Sequence, residues 1–147
     1  MRRYLAFDLG LKRTGVALVD DNNKVATPLG TIAEQPDSHK YLLETLNYIY
    51  EWEPYGLVFG LPIDMKGKHG IAADNVKIVV DSLLERIKTE LTKKSIDMPE
   101  ILFHDERLTS AQVEKNMKKY EVSRENRSKI RDSLAACVIA QSFIDSL

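Results

Sequence analysis

With 147 residues the chain is long enough for one domain and too short for two independent cores, so residues 1–147 are expected to form a single unit that folds without disulfides or a structural metal. Its 44% hydrophobic and 29% charged content is that of a globular protein, and one cysteine, Cys137, excludes an internal disulfide and any multi-cysteine zinc site. A net charge of −1 excludes a protein that coats nucleic acid over its whole surface.

No apolar stretch approaches the ~20 residues of a membrane span. Met1-Arg2-Arg3 resembles a signal-peptide start, but Asp8 and Gly10 interrupt the apolar run too early. A cytoplasmic protein with no membrane contact is the expectation.

In chain order, Arg3 to Leu9 is predicted as a strand ending beside an acid, Gly10 to Arg13 as a turn, and Thr14 to Val19 as a second strand. Asp20-Asp21-Asn22-Asn23 reads as an Asx-rich turn. Lys24 to Ile32 completes an antiparallel meander, and Pro28 suits an edge position. Asp37 or Ser38 can cap a helix whose stripe is Leu42, Leu43, Leu46, Ile49 and Tyr50, with Pro54 ending it. Tyr55 to Phe59, nearly all apolar, suits a buried central strand. The loop from Gly60 to Gly70 precedes a long helix from Ile71 to Thr92. Glu100 to His104 is the fifth strand, continued by Asp105-Glu106-Arg107. Thr109 and Gln112 make a capping box for a helix at Ser110. A polar loop from Tyr120 to Arg127 leads to a last helix, Ser128 to Leu147. Three strands followed by alternating helix and strand predict an α/β fold with a mixed five-stranded sheet covered by helices. Cys137, in Leu134-Ala135-Ala136-Cys137-Val138-Ile139, reads as a packed core thiol.

Charge is unevenly placed. Arg107 to Arg131 holds eight Lys/Arg against three Glu, an excess of five positive charges in a chain whose total is −1. Such a segment suits a phosphate backbone, although a solvated helix and loop would read the same way. Arg107, Arg124, Arg127, Lys129 and Arg131 are its candidate contacts. Lys12 and Arg13 beside Asp8, and Lys66, Lys68 and His69 in the loop after strand four, are further candidates. No basic run interleaved with aromatics suggests base stacking, so readout of sequence is expected to be weak.

Three acids stand out. Asp8 lies where a strand reaches the sheet edge; a turn-capping aspartate is the plainer reading of an isolated Asp-x-Gly. Asp132 shares a helical face with Ala135, Ala136, Ile139 and Phe143, an apolar stripe that must meet the sheet. Asp105 and Glu106 point to opposite faces of a strand, so one metal cannot easily take both. Glu106, with its longer reach, is favoured, and Asp105 is its substitute. Carboxylates from strand one, strand five and the last helix supply the hard oxygen ligands that magnesium requires for phosphodiester chemistry. There is no Gly-x-x-x-x-Gly-Lys-Ser/Thr loop and no Gly-x-Ser-x-Gly elbow, and the histidines at 39, 69 and 104 lack metal spacing.

Four blocks carry a resemblance: Asp8-Leu9-Gly10-Leu11-Lys12-Arg13-Thr14-Gly15, Gly60-Leu61-Pro62, Asp105-Glu106-Arg107-Leu108-Thr109-Ser110 and Asp132-Ser133-Leu134-Ala135-Ala136. In this order, across nearly the whole chain, they resemble the YqgF/RuvX family, associated with Holliday junction resolution and with maturation of pre-16S rRNA. The resemblance implies a ribonuclease H-like fold with strand order 3-2-1-4-5 and a magnesium- or manganese-dependent nuclease that matures the 5′ end of small-subunit ribosomal RNA. Asp8, Glu106 and Asp132 match the family's acidic positions. Many nucleases of the wider superfamily carry an acid at the end of strand four, where this chain has Gly60-Leu61-Pro62.

Structured RNA, or branched DNA, is thus the expected partner, and a monomer or weak homodimer the expected state. A resolvase needs two active sites and hence a two-fold dimer. A phosphotransferase related to actin and the sugar kinases also begins with an Asp-x-Gly turn, but pairs two such halves where this chain has one. A non-catalytic RNA-binding assembly factor would keep the basic segment and have no need of the acids.

Overall fold

The computed structural model describes residues 1–10, 12–62, 69–106 and 127–147, and at 62, 69–74, 105–106 and 127–132 the backbone alone. The strands are β1 (Arg3–Leu9), β2 (Thr14–Asp20), β3 (Thr27–Ile32), β4 (Gly56–Pro62) and β5 (Glu100–Glu106). The helices are α1 (His39–Trp52), α2 (His69–Lys93) and α3 (Arg127–Asp145). The five strands form one sheet in the order β3-β2-β1-β4-β5. β1, β2 and β3 pair antiparallel, while β4 runs parallel to β1 and β5 parallel to β4. The carboxyl ends of β1, β4 and β5 therefore share one edge of the sheet.

Alternation along the strands divides the core in two. Leu5, Phe7, Val16, Ile32, Leu57 and Phe59 face one side, covered by Tyr41, Leu42, Leu46 and Ile49 of α1 and by Val80, Leu83, Ile87 and Leu91 of α2. Tyr4, Ala6, Ala17, Val19 and Val58 face the other, covered by Ala136, Ile139, Ala140, Phe143 and Ile144 of α3. Alanines on both sides of this second interface let α3 lie close to the sheet.

Several boundaries differ from the sequence reading for local reasons. β3 begins at Thr27 because the turn absorbs residues 21–24. Asp20 Oδ1 accepts the N–H groups of Asn22 and Asn23, each at 2.8 Å, and Lys24 turns left-handed at φ 57°. Pro28 does lie on an edge strand, opposite Ala17 beside a register shift. Ser38 is the cap of α1, its Oγ accepting the Tyr41 N–H at 3.1 Å. Leu43, expected in the α1 stripe, is exposed, and Tyr41 and Thr45 are buried in its place. The helix ends where Glu53 turns left-handed, just before Pro54.

β4 and β5 run further than expected, to Pro62 and Glu106, and α2 starts at His69. Gly60 to Pro62 thus belong to β4 and not to a loop. Arg127 opens α3 instead of closing a loop. The helix expected at Ser110 and the loop from Tyr120 to Asn126 lie outside the described residues. Cys137 is half-buried against the second core, and burial pushes its thiol up to about 12. It is a packing residue with no thiolate chemistry near neutral pH. No helix among the described residues is long and apolar enough to cross a membrane.

Candidate active site

Asp8 is the next-to-last residue of β1, paired in register with Gly15, and Leu9 pairs with Thr14 to close the ladder before the turn. By alternation Asp8 shares the face of Tyr4 and Ala6, the one that α3 covers. Gly15 shares that face and has no side chain to cover the carboxylate. The half-buried Asp8 sits at the rim, where the apolar interface gives way to solvent. The turn that follows is tight, because a Cβ on Gly10 would overlap the Arg13 carbonyl. Lys12 and Arg13 stand exposed on it, a few residues from Asp8.

On β5, Leu102 packs into the α3-side core, and His104 Nε2 hydrogen-bonds Ser142 Oγ of α3 at 2.8 Å. Position 106 falls on that same face, whereas 105 falls with Ile101 and Phe103 on the face of α1 and α2. Phe7 is level with Phe59, and Glu106 with Pro62. Position 106 therefore lies two strands from β1 and two residues beyond the level of Asp8. That is about 10 Å across and about 7 Å further along the strands. A glutamate spans such an offset better than an aspartate.

Contacts along α3 fix its direction. Phe143 packs edge-on against Tyr4 at the start of β1, with ring centroids 5.0 Å apart, and Ile139 lies over Gly60 near the end of β4. The helix thus climbs towards the carboxyl edge as it is followed back to its N-terminus. Asp132 is seven residues before Ile139, about 10 Å further in that direction, and shares the stripe of Ala136, Ile139 and Phe143, all buried. Three acid-bearing positions on β1, β5 and α3 therefore approach one face of one edge. Arg127, Lys129 and Arg131 lie in the first turns of α3, which has no acid in its first turn. Lys66, Lys68, Arg107 and Arg124 lie outside the described residues.

At Gly60, near the end of β4, an added side chain would meet α3. Gly60 is buried on the α3 face, and a Cβ there would overlap Ile139 Cδ1. Sequence reasoning noted the glycine without its cause. It also passed over Thr14 and Tyr41, whose hydroxyls meet at 2.9 Å although 27 residues separate them; no spacing rule links them.

A mixed sheet in this order, with helices on both faces, is the ribonuclease H-like fold. The same fold occurs in Thermus thermophilus RuvC in complex with Holliday junction substrate, which superposes with a TM-score of 0.51 at 13% identity over 95% of this chain and 91% of that one. The profile of the RuvX family, described as "Holliday junction resolvase", matches residues 2–146, and the chain belongs to that family. Among its relatives, a Roseiflexus sp. (strain RS-1) protein is 38% identical over 98% of this chain and 94% of its own length. A Protochlamydia amoebophila (strain UWE25) protein is 34% identical over 98% of this chain and 93% of its own. Both carry the name "Putative pre-16S rRNA nuclease".

Proposed function

We propose that this chain is a cytoplasmic, single-domain hydrolase that cuts phosphodiester bonds of structured RNA in maturation of the 5′ end of pre-16S rRNA. Asp8, Glu106 and Asp132 are its metal-holding acids. The reading is supported by the register that puts Asp8 and position 106 on the α3 face towards the carboxyl ends of their strands, together with the direction in which α3 runs. The names of full-length relatives supply the substrate.

The donor set suits the metal. Among the described side chains no three potential ligands cluster, and the set is completed by Glu106 and Asp132, of which the backbone is described. All three are carboxylates, hard oxygen donors that favour magnesium or manganese over zinc. Bound there, the metal would supply Lewis-acid stabilisation of charge on the phosphate. The protein's own part is to hold the substrate. Lys12 and Arg13 present exposed cations on the turn that follows Asp8. Arg127, Lys129 and Arg131 begin α3, where the helix dipole disfavours cations until an anion joins them. A phosphate backbone there relieves that repulsion.

The expected result is magnesium-dependent cleavage of a precursor 16S rRNA fragment at its 5′ end, measured beside a four-way DNA junction with and without metal. The resolvase reading has its support in the family's description and in the shared fold. Preferential cutting of the junction by a two-fold dimer would replace the RNA reading, which predicts a monomer or weak homodimer. Cleavage of neither substrate ends the nuclease reading.

Binding gives a separate expectation. Replacing Arg124, Arg127 and Lys129 with alanine should weaken RNA and DNA alike, and the slope of log affinity against log salt should fall by roughly 2–3 at about 0.7–0.9 per contact. An unchanged slope and affinity would move the binding surface elsewhere, with Lys66 and Lys68 the next candidates.

A further inference from the structure

We propose that Tyr41 is a positioning residue: through its hydrogen bond to Thr14 it fixes the β1–β2 turn that sets Lys12 and Arg13 beside Asp8. The inference rests on the reading of that edge as the active site.

Tyr41 Oη donates to Thr14 Oγ1 at 2.9 Å, and both residues are fully buried. Burial holds the phenol far above its ordinary pKa, so it remains a donor at every working pH. Thr14 is the first residue of β2, paired with Leu9 on one side and Ile32 on the other. It is thus the last rung of the ladder before the turn. Tyr41 is itself held, because its N–H is bound by Ser38 Oγ in the first turn of α1. A chain of polar contacts therefore runs from the cap of α1 to the residue that ends the turn.

Stability alone does not require this pair. Phenylalanine and valine would fill the same space, and replacing both partners of a buried hydrogen bond by apolar groups of like shape is nearly neutral. A hydrogen bond adds direction, which packing lacks. It sets where the first residue of β2 sits, and with it the turn already drawn tight by Gly10. Displacing a reacting group by about 1 Å can cost about a hundredfold in rate.

The test compares Tyr41→Phe, Thr14→Val and the double variant. Each single change strands one hydroxyl and should lower the unfolding midpoint. The double change strands neither and should restore it. Cleavage of the precursor RNA should nonetheless stay about tenfold lower in kcat/KM for the double variant. Amide hydrogen exchange at Gly10, Lys12 and Arg13 should be faster than in wild type, with β4 and the core of α1 unchanged. Wild-type kcat/KM in the double variant overturns the proposal whatever exchange shows. If the wild-type protein cleaves nothing, the functional reading has failed, and the proposal is judged on exchange alone: faster exchange confined to the turn carries it, and wild-type exchange overturns it.

Discussion

Asp8→Asn is expected to abolish magnesium-dependent cleavage while leaving the fold intact. Asparagine keeps the shape of aspartate and loses its charge, and a hard dication depends on anionic oxygen. Nothing in the backbone pairing of Asp8 with Gly15 depends on that charge. Without metal, the variant should unfold at the wild-type urea concentration or above it, because one of three acids approaching the same edge has been neutralised. Initial rates and calorimetric magnesium titration on matched preparations check both halves. Unchanged rates would mean that the cleavage belongs to a contaminant or to another site.

Gly60→Asp should have the largest effect on stability, with a loss of about 3–5 kcal/mol, combining overpacking with the burial of a carboxylate. The overlap is with Ile139, itself buried between α3 and the sheet. Gly60→Ala should cost less, about 1–2 kcal/mol, since only the overlap remains. In an Ile139→Ala background the added cost of Gly60→Asp should shrink, which a double-mutant cycle on urea midpoints would measure. A wild-type midpoint for Gly60→Asp would mean that α3 does not close this position.

The strand order and the places of the acids along their elements were legible because their signals are local or run in register. Asp8 follows four buried residues, Asp132 heads an apolar helical stripe, and Pro28 marks an edge. What escaped depends on contacts between distant parts of the chain. Leu43 fits the helical period as well as Tyr41 does, yet the sheet lies on the Tyr41 side and Leu43 is exposed. The glycine at 60 is a bare letter until Ile139, 79 residues later, is seen against it. Lys24 reads as a strand residue until Asp20 is found holding the turn before it. Alternation set Asp105 and Glu106 on opposite faces in the sequence, and the same rule places them so in β5.

The order in which translation delivers these parts has its own consequence. All five strands, and with them Asp8 and Glu106, are synthesised before α3, which brings Asp132 and covers Tyr4, Ala6, Ala17, Val19 and Val58. A nascent chain halted after β5 has all five strands but lacks the helix that packs on Tyr4, Ala6, Ala17, Val19 and Val58. Protection of that face thus arrives last, with one helix, so a copy truncated before α3 carries its own exposed adhesive surface.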